Sequence, residues 1–184
     1  MVAHAYVALF PEDTASVCWG ECPMPGSKIY HERKASPQLW HFVFHSVPDL
    51  PELLISGKVR EYQKHFFDRL CQNPAAFSPS DLEVYGIAYS AAGAMRAGLN
   101  VYRAFERDGV MNNNWVKEKG KINVRCLALW GDYSFAQEKD ALDMCHEYYK
   151  TAEFVDIKDC GHWIAEEQPG QFVDVVLKWV GRSS

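Results

Sequence analysis

The chain has 184 residues, 48% of them hydrophobic and 23% charged, with a formal net charge of −5. That is enough apolar chain to bury the core of one domain, and it excludes an intrinsically disordered segment. The acidic balance and the lack of a basic stripe exclude a nucleic-acid-binding face, and no apolar run reaches the ~18 residues of a membrane-spanning helix.

Val2 to Phe10 has helical spacing, with Val2, Tyr6, Leu9 and Phe10 on one face, and Pro11 stops it. Ala15 to Trp19 reads as a short buried strand, and the two prolines and the glycine of Glu21 to Gly26 make a loop. Residues 36–115 read as largely helical, without a clear strand. Within them, Gln38 to Pro51 is aromatic-rich, Glu52 to Leu70 makes one or two helices, and Ser80 with Glu83 suggests a capping box. Ala91 to Glu106 is a further helix whose small residues, from Ala91 to Gly98, allow close approach. Val124 to Asp132 is the strongest strand, nearly continuously apolar, as in a parallel sheet covered on both faces. Ala136 to Tyr149 (helix), Glu153 to Ile157 (strand) and Gln171 to Val180 (helix) complete the order. The pattern predicts an α/β fold: a partial, doubly wound parallel sheet (1–35 and 116–184) interrupted by a helical cap (36–115).

The six cysteines, Cys18, Cys22, Cys71, Cys126, Cys145 and Cys160, show no paired metal spacing and read as reduced, buried thiols. His4, His31, His65 and His146 show no ligand spacing either, so neither a metal nor a cofactor is expected. The start, Met1-Val2-Ala3-His4, has no signal-peptide pattern, and the expected location is cytoplasmic.

Asp159-Cys160-Gly161-His162-Trp163 is the most informative run. A tight turn after a late strand presents a histidine just before a helix, the way a catalytic base is delivered in hydrolases of this architecture. Such a base needs a nucleophile on an earlier Gly-x-nucleophile-x-Gly elbow, and no such elbow occurs in these 184 residues.

Three groups of motifs carry a resemblance. They are Trp40-His41-Phe42-Val43-Phe44-His45 with Pro48-Asp49-Leu50-Pro51-Glu52; Gly93-Ala94-Met95-Arg96-Ala97-Gly98 with Tyr102-Arg103-Ala104-Phe105; and Gly161-His162-Trp163 with Glu166-Glu167-Gln168-Pro169. In this order and spacing the chain resembles the epoxide hydrolase and haloacetate dehalogenase branch of the α/β-hydrolases, over its C-terminal portion. The resemblance implies an ester intermediate formed on a nucleophilic Asp and hydrolysed by water that the histidine activates. It implies His162 as the base. Its orienting carboxylate is either Glu21, in the loop after the first strand, or Asp132, after the strongest strand. Glu21 is favoured, because the second placement puts the acid slightly further on, near Ser134.

Tyr102 resembles the cap tyrosine that hydrogen-bonds an epoxide oxygen or leaving halide, and reads equally as a core aromatic. His41 and Phe42 fall at cap positions, and Phe42 lacks the indole N–H that dehalogenases carry there. His41, Phe42, His45 and Trp163 are the candidate substrate contacts; Tyr85 and Tyr89 read as core or surface. The expected partner is a small molecule. An open sheet edge further suggests a homodimer or a complementary N-terminal half. The alternative is a non-hydrolytic binding or acid–base protein, distinguished by whether His162, Glu21 and Tyr102 share one pocket.

Overall fold

In a computed structural model that describes residues 1–181, the chain opens with helix α1 (Val2–Leu9) and strand β1 (Ser16–Trp19). Six helices follow: α2 (Lys28–Arg33), α3 (Trp40–Ser46), α4 (Leu50–Ile55), α5 (Val59–Leu70), α6 (Pro79–Ser90) and the 26-residue α7 (Ala94–Lys119). Strand β2 (Arg125–Gly131), α8 (Glu138–Tyr148), β3 (Ala152–Ile157), the single turn α9 (Ile164–Glu167) and α10 (Pro169–Gly181) complete it. This is the C-terminal part of an α/β-hydrolase fold: three parallel strands in the order β1-β2-β3 with a long helical insertion between the first two.

The central strand explains the sheet. Every residue of β2 from Cys126 to Trp130 is at most 3% exposed. Successive side chains alternate faces. Cys126, Ala128 and Trp130 pack with Val7 and Ala8 of α1 and with Ala141, Met144, Cys145 and Tyr148 of α8. Leu129 faces the other way, against Ile157, Cys160, Ile164 and, from α10, Phe172 and Val175.

Two local expectations are corrected, and α1 takes a direction that its spacing left open. The apolar face of α1 points outward: Val2 is 88% and Leu9 58% exposed, while His4, Val7 and Ala8 are buried. The inward side packs Val7 and Ala8 into the core and sets His4 Nδ1 2.9 Å from the Tyr149 hydroxyl. The capping box lies one turn-start earlier, on Ser78 and Asp81. Pro79 fits the first helical position because its missing N–H would have no partner there, and Glu83 instead pairs with Arg60 at 2.6 Å. Replacing Ser78 by alanine is expected to lower stability by about 1 kcal/mol, read as a shift in the urea midpoint at constant slope.

Close backbone approach occurs further along α7 than the small residues at 91–98 suggest. A Cβ on Gly109 would sit 2.7 Å from the Gly26 nitrogen. Beside it, the Asn112 and Asn113 side-chain amides donate to the Pro25 and Gly26 carbonyls, each at 3.0 Å. α7 thus pins the loop that carries Glu21. Helix α2, absent from the sequence reading, is capped by Ser27, whose hydroxyl accepts from the Tyr30 N–H. Among the described residues no helix is long and apolar enough to cross a membrane.

Candidate active site

Glu21 leaves the end of β1 with φ at +67°, a conformation that L side chains adopt only under strain of order 1–3 kcal/mol. Its buried carboxylate shows what holds it there. Oε1 accepts from the Gly131 N–H at 2.7 Å, and Oε2 accepts from the Ser134 hydroxyl. The same Oε2 lies 3.0 Å from His162 Nδ1. A carboxylate at Nδ1 fixes the proton on that nitrogen and leaves Nε2 with a free lone pair.

The histidine loop is held just as firmly. The His162 backbone N–H donates to the Leu70 carbonyl at 2.9 Å, and a Cβ on Gly161 would lie 2.3 Å from that same oxygen. Glu167, 5% exposed, gathers four backbone amides: Gln72 at 2.7 Å, Asn73 at 3.0 Å and Gly161 at 3.1 Å on Oε2, and Trp163 at 3.0 Å on Oε1. Burial works to raise its pKa, but the four amides outweigh that and hold it below the usual carboxylate range.

The structure brings Glu21, rather than Asp132, to the histidine. Asp132 Oδ1 accepts from the Cys160 N–H at 3.1 Å and so braces the turn before His162. Glu21, His162 and Tyr102 all line one cavity of about 610 Å³, together with His41 and Phe42. The Tyr102 ring packs against His45, Phe105 and Phe42, with centroids 4.4, 5.1 and 5.6 Å away. Burial pushes its phenol up to about 12, so it stays protonated and able to donate at neutral pH. Burial, reinforced by His45 and Arg69, pulls His41 down to about 3 and keeps it neutral.

His45 and Trp163 line an adjoining chamber rather than this cavity. His45 Nε2 lies 2.5 Å from the Tyr62 hydroxyl. Tyr85 donates to Glu166 and lines the chamber, and Tyr89 lines both spaces. Sequence reasoning missed three residues. Ser134, set aside for lacking a carboxylate, serves Glu21 as a donor. Tyr62 carried no signal beyond helical spacing. Glu167 lay in a quoted motif, Glu-Glu-Gln-Pro, without a role. Among the described residues no three His, Cys, Asp or Glu side chains are placed to hold a metal ion. Glu21 is the one side chain among them hydrogen-bonded to the His162 ring.

No family model matches the chain. The comparisons nonetheless agree on a class, the α/β-hydrolases. The structure of Cfl2 from Burkholderia cenocepacia superimposes with a TM-score of 0.86 at 30% identity, over 97% of this chain and 61% of that one. The epoxide hydrolase CorEH matches all of this chain and 65% of its own with a TM-score of 0.83, at 22% identity. Within the class, three sequence relatives are named epoxide hydrolases and one, from Bacillus subtilis, an AB hydrolase superfamily protein. The soluble epoxide hydrolase of Corynebacterium sp. (strain C12) is 30% identical over 142 residues, 76% of this chain and 48% of that protein. The chain is thus similar to the epoxide hydrolase-like α/β-hydrolases over the C-terminal part of their fold. It spans between 37% and 49% of the length of the curated relatives it matches.

Proposed function

We propose that the chain works as part of an epoxide hydrolase-like enzyme acting on a neutral small organic molecule, with His162 as general base and Glu21 as its orienting carboxylate. The observation that carries this reading is the Glu21–His162 pair, 3.0 Å apart at the wall of a cavity that Tyr102 also lines. In this reading a carboxylate nucleophile that this copy of residues 1–184 does not itself supply attacks an epoxide carbon. The carbon–oxygen bond breaks, and the oxygen takes its proton from Tyr102. Water then hydrolyses the resulting ester, giving its proton to His162 Nε2. Residues 36–115 are the cap, with 1–35 and 116–184 as core. Phe42, with no N–H to offer a halide, supports an epoxide over a haloacid.

The nucleophile comes from a complementary N-terminal half or, failing that, from a second copy of the chain. Two features support such a partner: among the described residues β1 has a strand neighbour on one side only, and beside it α1 exposes Val2, Tyr6, Leu9 and Phe10. The six free cysteines support a cytoplasmic site of action. One observation favours a second reading, a non-hydrolytic acid–base or binding protein: His162, Glu21 and Tyr102 converge without a nucleophile among them.

The test is styrene oxide turnover by the chain alone and mixed with a polypeptide spanning the other half of the Corynebacterium relative, with light scattering on both samples. Turnover that needs a second polypeptide or a second copy, and that falls about a hundredfold in Tyr102→Phe, is expected. A folded assembly without turnover favours the second reading.

A further inference from the structure

Beyond Tyr102 and His41 the site opens into a side chamber of about 300 Å³. Phe66, Phe67, Met95 and Leu99 give it an apolar wall. An apolar cavity of about 150 Å³ already holds benzene, so an aromatic ring fits with space to spare. Residues of its lining also carry buried polar atoms without a partner. Of the eight buried side-chain nitrogens and oxygens without a partner among the described residues, four belong to its lining: His41 Nδ1, His45 Nδ1, Gln63 Oε1 and Trp163 Nε1. Buried orphans of this kind are rare and costly, and their concentration at one cavity calls for a ligand that answers them.

The geometry points to a specificity subsite for an aromatic substituent that ends in a neutral group able both to donate and to accept, a carboxamide or hydroxyl. Gln63 Oε1 is an acceptor and needs a donor; Trp163 Nε1 is a donor and needs an acceptor. A carboxamide supplies both, and a hydrocarbon neither. A carboxylate offers acceptors only. It would also share the chamber with the Glu166 carboxyl and find no Lys or Arg in its lining. Burial holds His41 and His45 as neutral imidazoles, His45 at about 4, so they offer an anion no compensating charge. The aromatic wall supplies affinity, and the orphans supply discrimination, because a polar pocket left unanswered rejects an apolar analogue.

This inference rests on the reading of the adjoining cavity as a substrate site, and its test measures binding rather than turnover. The full chain is titrated with benzamide, toluene and benzoate, following the Trp163 indole N–H by NMR. Benzamide is expected to bind about tenfold tighter than toluene and to shift that resonance, with benzoate weakest. Gln63→Leu is expected to bring the benzamide-to-toluene ratio close to one while toluene binding holds. Equal affinities, a benzoate preference, or an unmoved indole resonance in the unaltered chain would overturn the subsite, whatever the variants do. Failure of turnover with this order of affinities intact would overturn the hydrolase reading alone.

Discussion

Glu21→Gln is expected to lower kcat of the assembled enzyme about 10⁴-fold, with substrate binding nearly unchanged. The two oxygens of Glu21 have separate duties. Oε1 accepts from the Gly131 N–H, a backbone donor that cannot turn away. A glutamine must therefore place its own oxygen there, which puts its NH₂ where Oε2 now meets His162 Nδ1. A donor at Nδ1 forces the imidazole proton onto Nε2, and the nitrogen facing the cavity can no longer accept a proton from water. The loss, about 5.5 kcal/mol of barrier, reflects a wrong tautomer in an otherwise intact site. It should leave formation of the covalent ester largely untouched, so that the intermediate accumulates in a stopped-flow or quenched-mass experiment. Asp132→Asn serves as the control: Asp132 braces the Cys160 turn and does not touch the imidazole. A large loss in Asp132→Asn with a small one in Glu21→Gln would reverse the assignment of the carboxylate.

The sequence showed the central strand and the histidine loop because both are local signals: an unbroken apolar run from Cys126 to Trp130, and a glycine turn before His162. It left the carboxylate open between Glu21 and Asp132 because that choice is tertiary. Glu21 and His162 are 141 residues apart and meet only because β1 and β3 flank the same strand, with the Glu21 loop fastened beneath α7. The direction of α1 was hidden for a related reason. Its spacing puts Val2, Tyr6, Leu9 and Phe10 on one face without saying which way that face points, and the side that packs holds Val7 and Ala8 with His4, bonded to Tyr149. The capping box moved because Ser78 and Ser80 offer the same chemistry two residues apart, and only the fit of Pro79 at the first turn decides between them. Glu167 was invisible as a clamp because all four of its partners are backbone amides, which leave no mark on a sequence.

That clamp should dominate the stability of the histidine loop. Glu167→Ala is expected to cost about 3–5 kcal/mol, since it strands four amide donors at a site where the carboxylate is 5% exposed. Glu167→Gln keeps one acceptor and is expected to cost about 1–3 kcal/mol, with its NH₂ facing amides that also donate. The pH dependence follows from the sign of the shift. The folded carboxyl lies below its ordinary 4.5, so the unfolded chain binds the proton more readily. The stabilisation is therefore complete above pH ~4.5 and disappears as the pH falls through the lower folded value. In urea titrations from pH 7 down to pH 3, the gap between the unaltered chain and Glu167→Gln should stay constant to about pH 4.5 and then narrow. A gap of the same size at every pH would show that the charge contributes nothing and that the side chain acts by shape alone. The clamp also joins two regions: Gln72 and Asn73 follow α5 of the helical insertion, while Gly161 and Trp163 flank His162. Loosening it should therefore lower kcat more than it raises KM, because the position of His162 is fixed against the end of α5 rather than against the sheet alone.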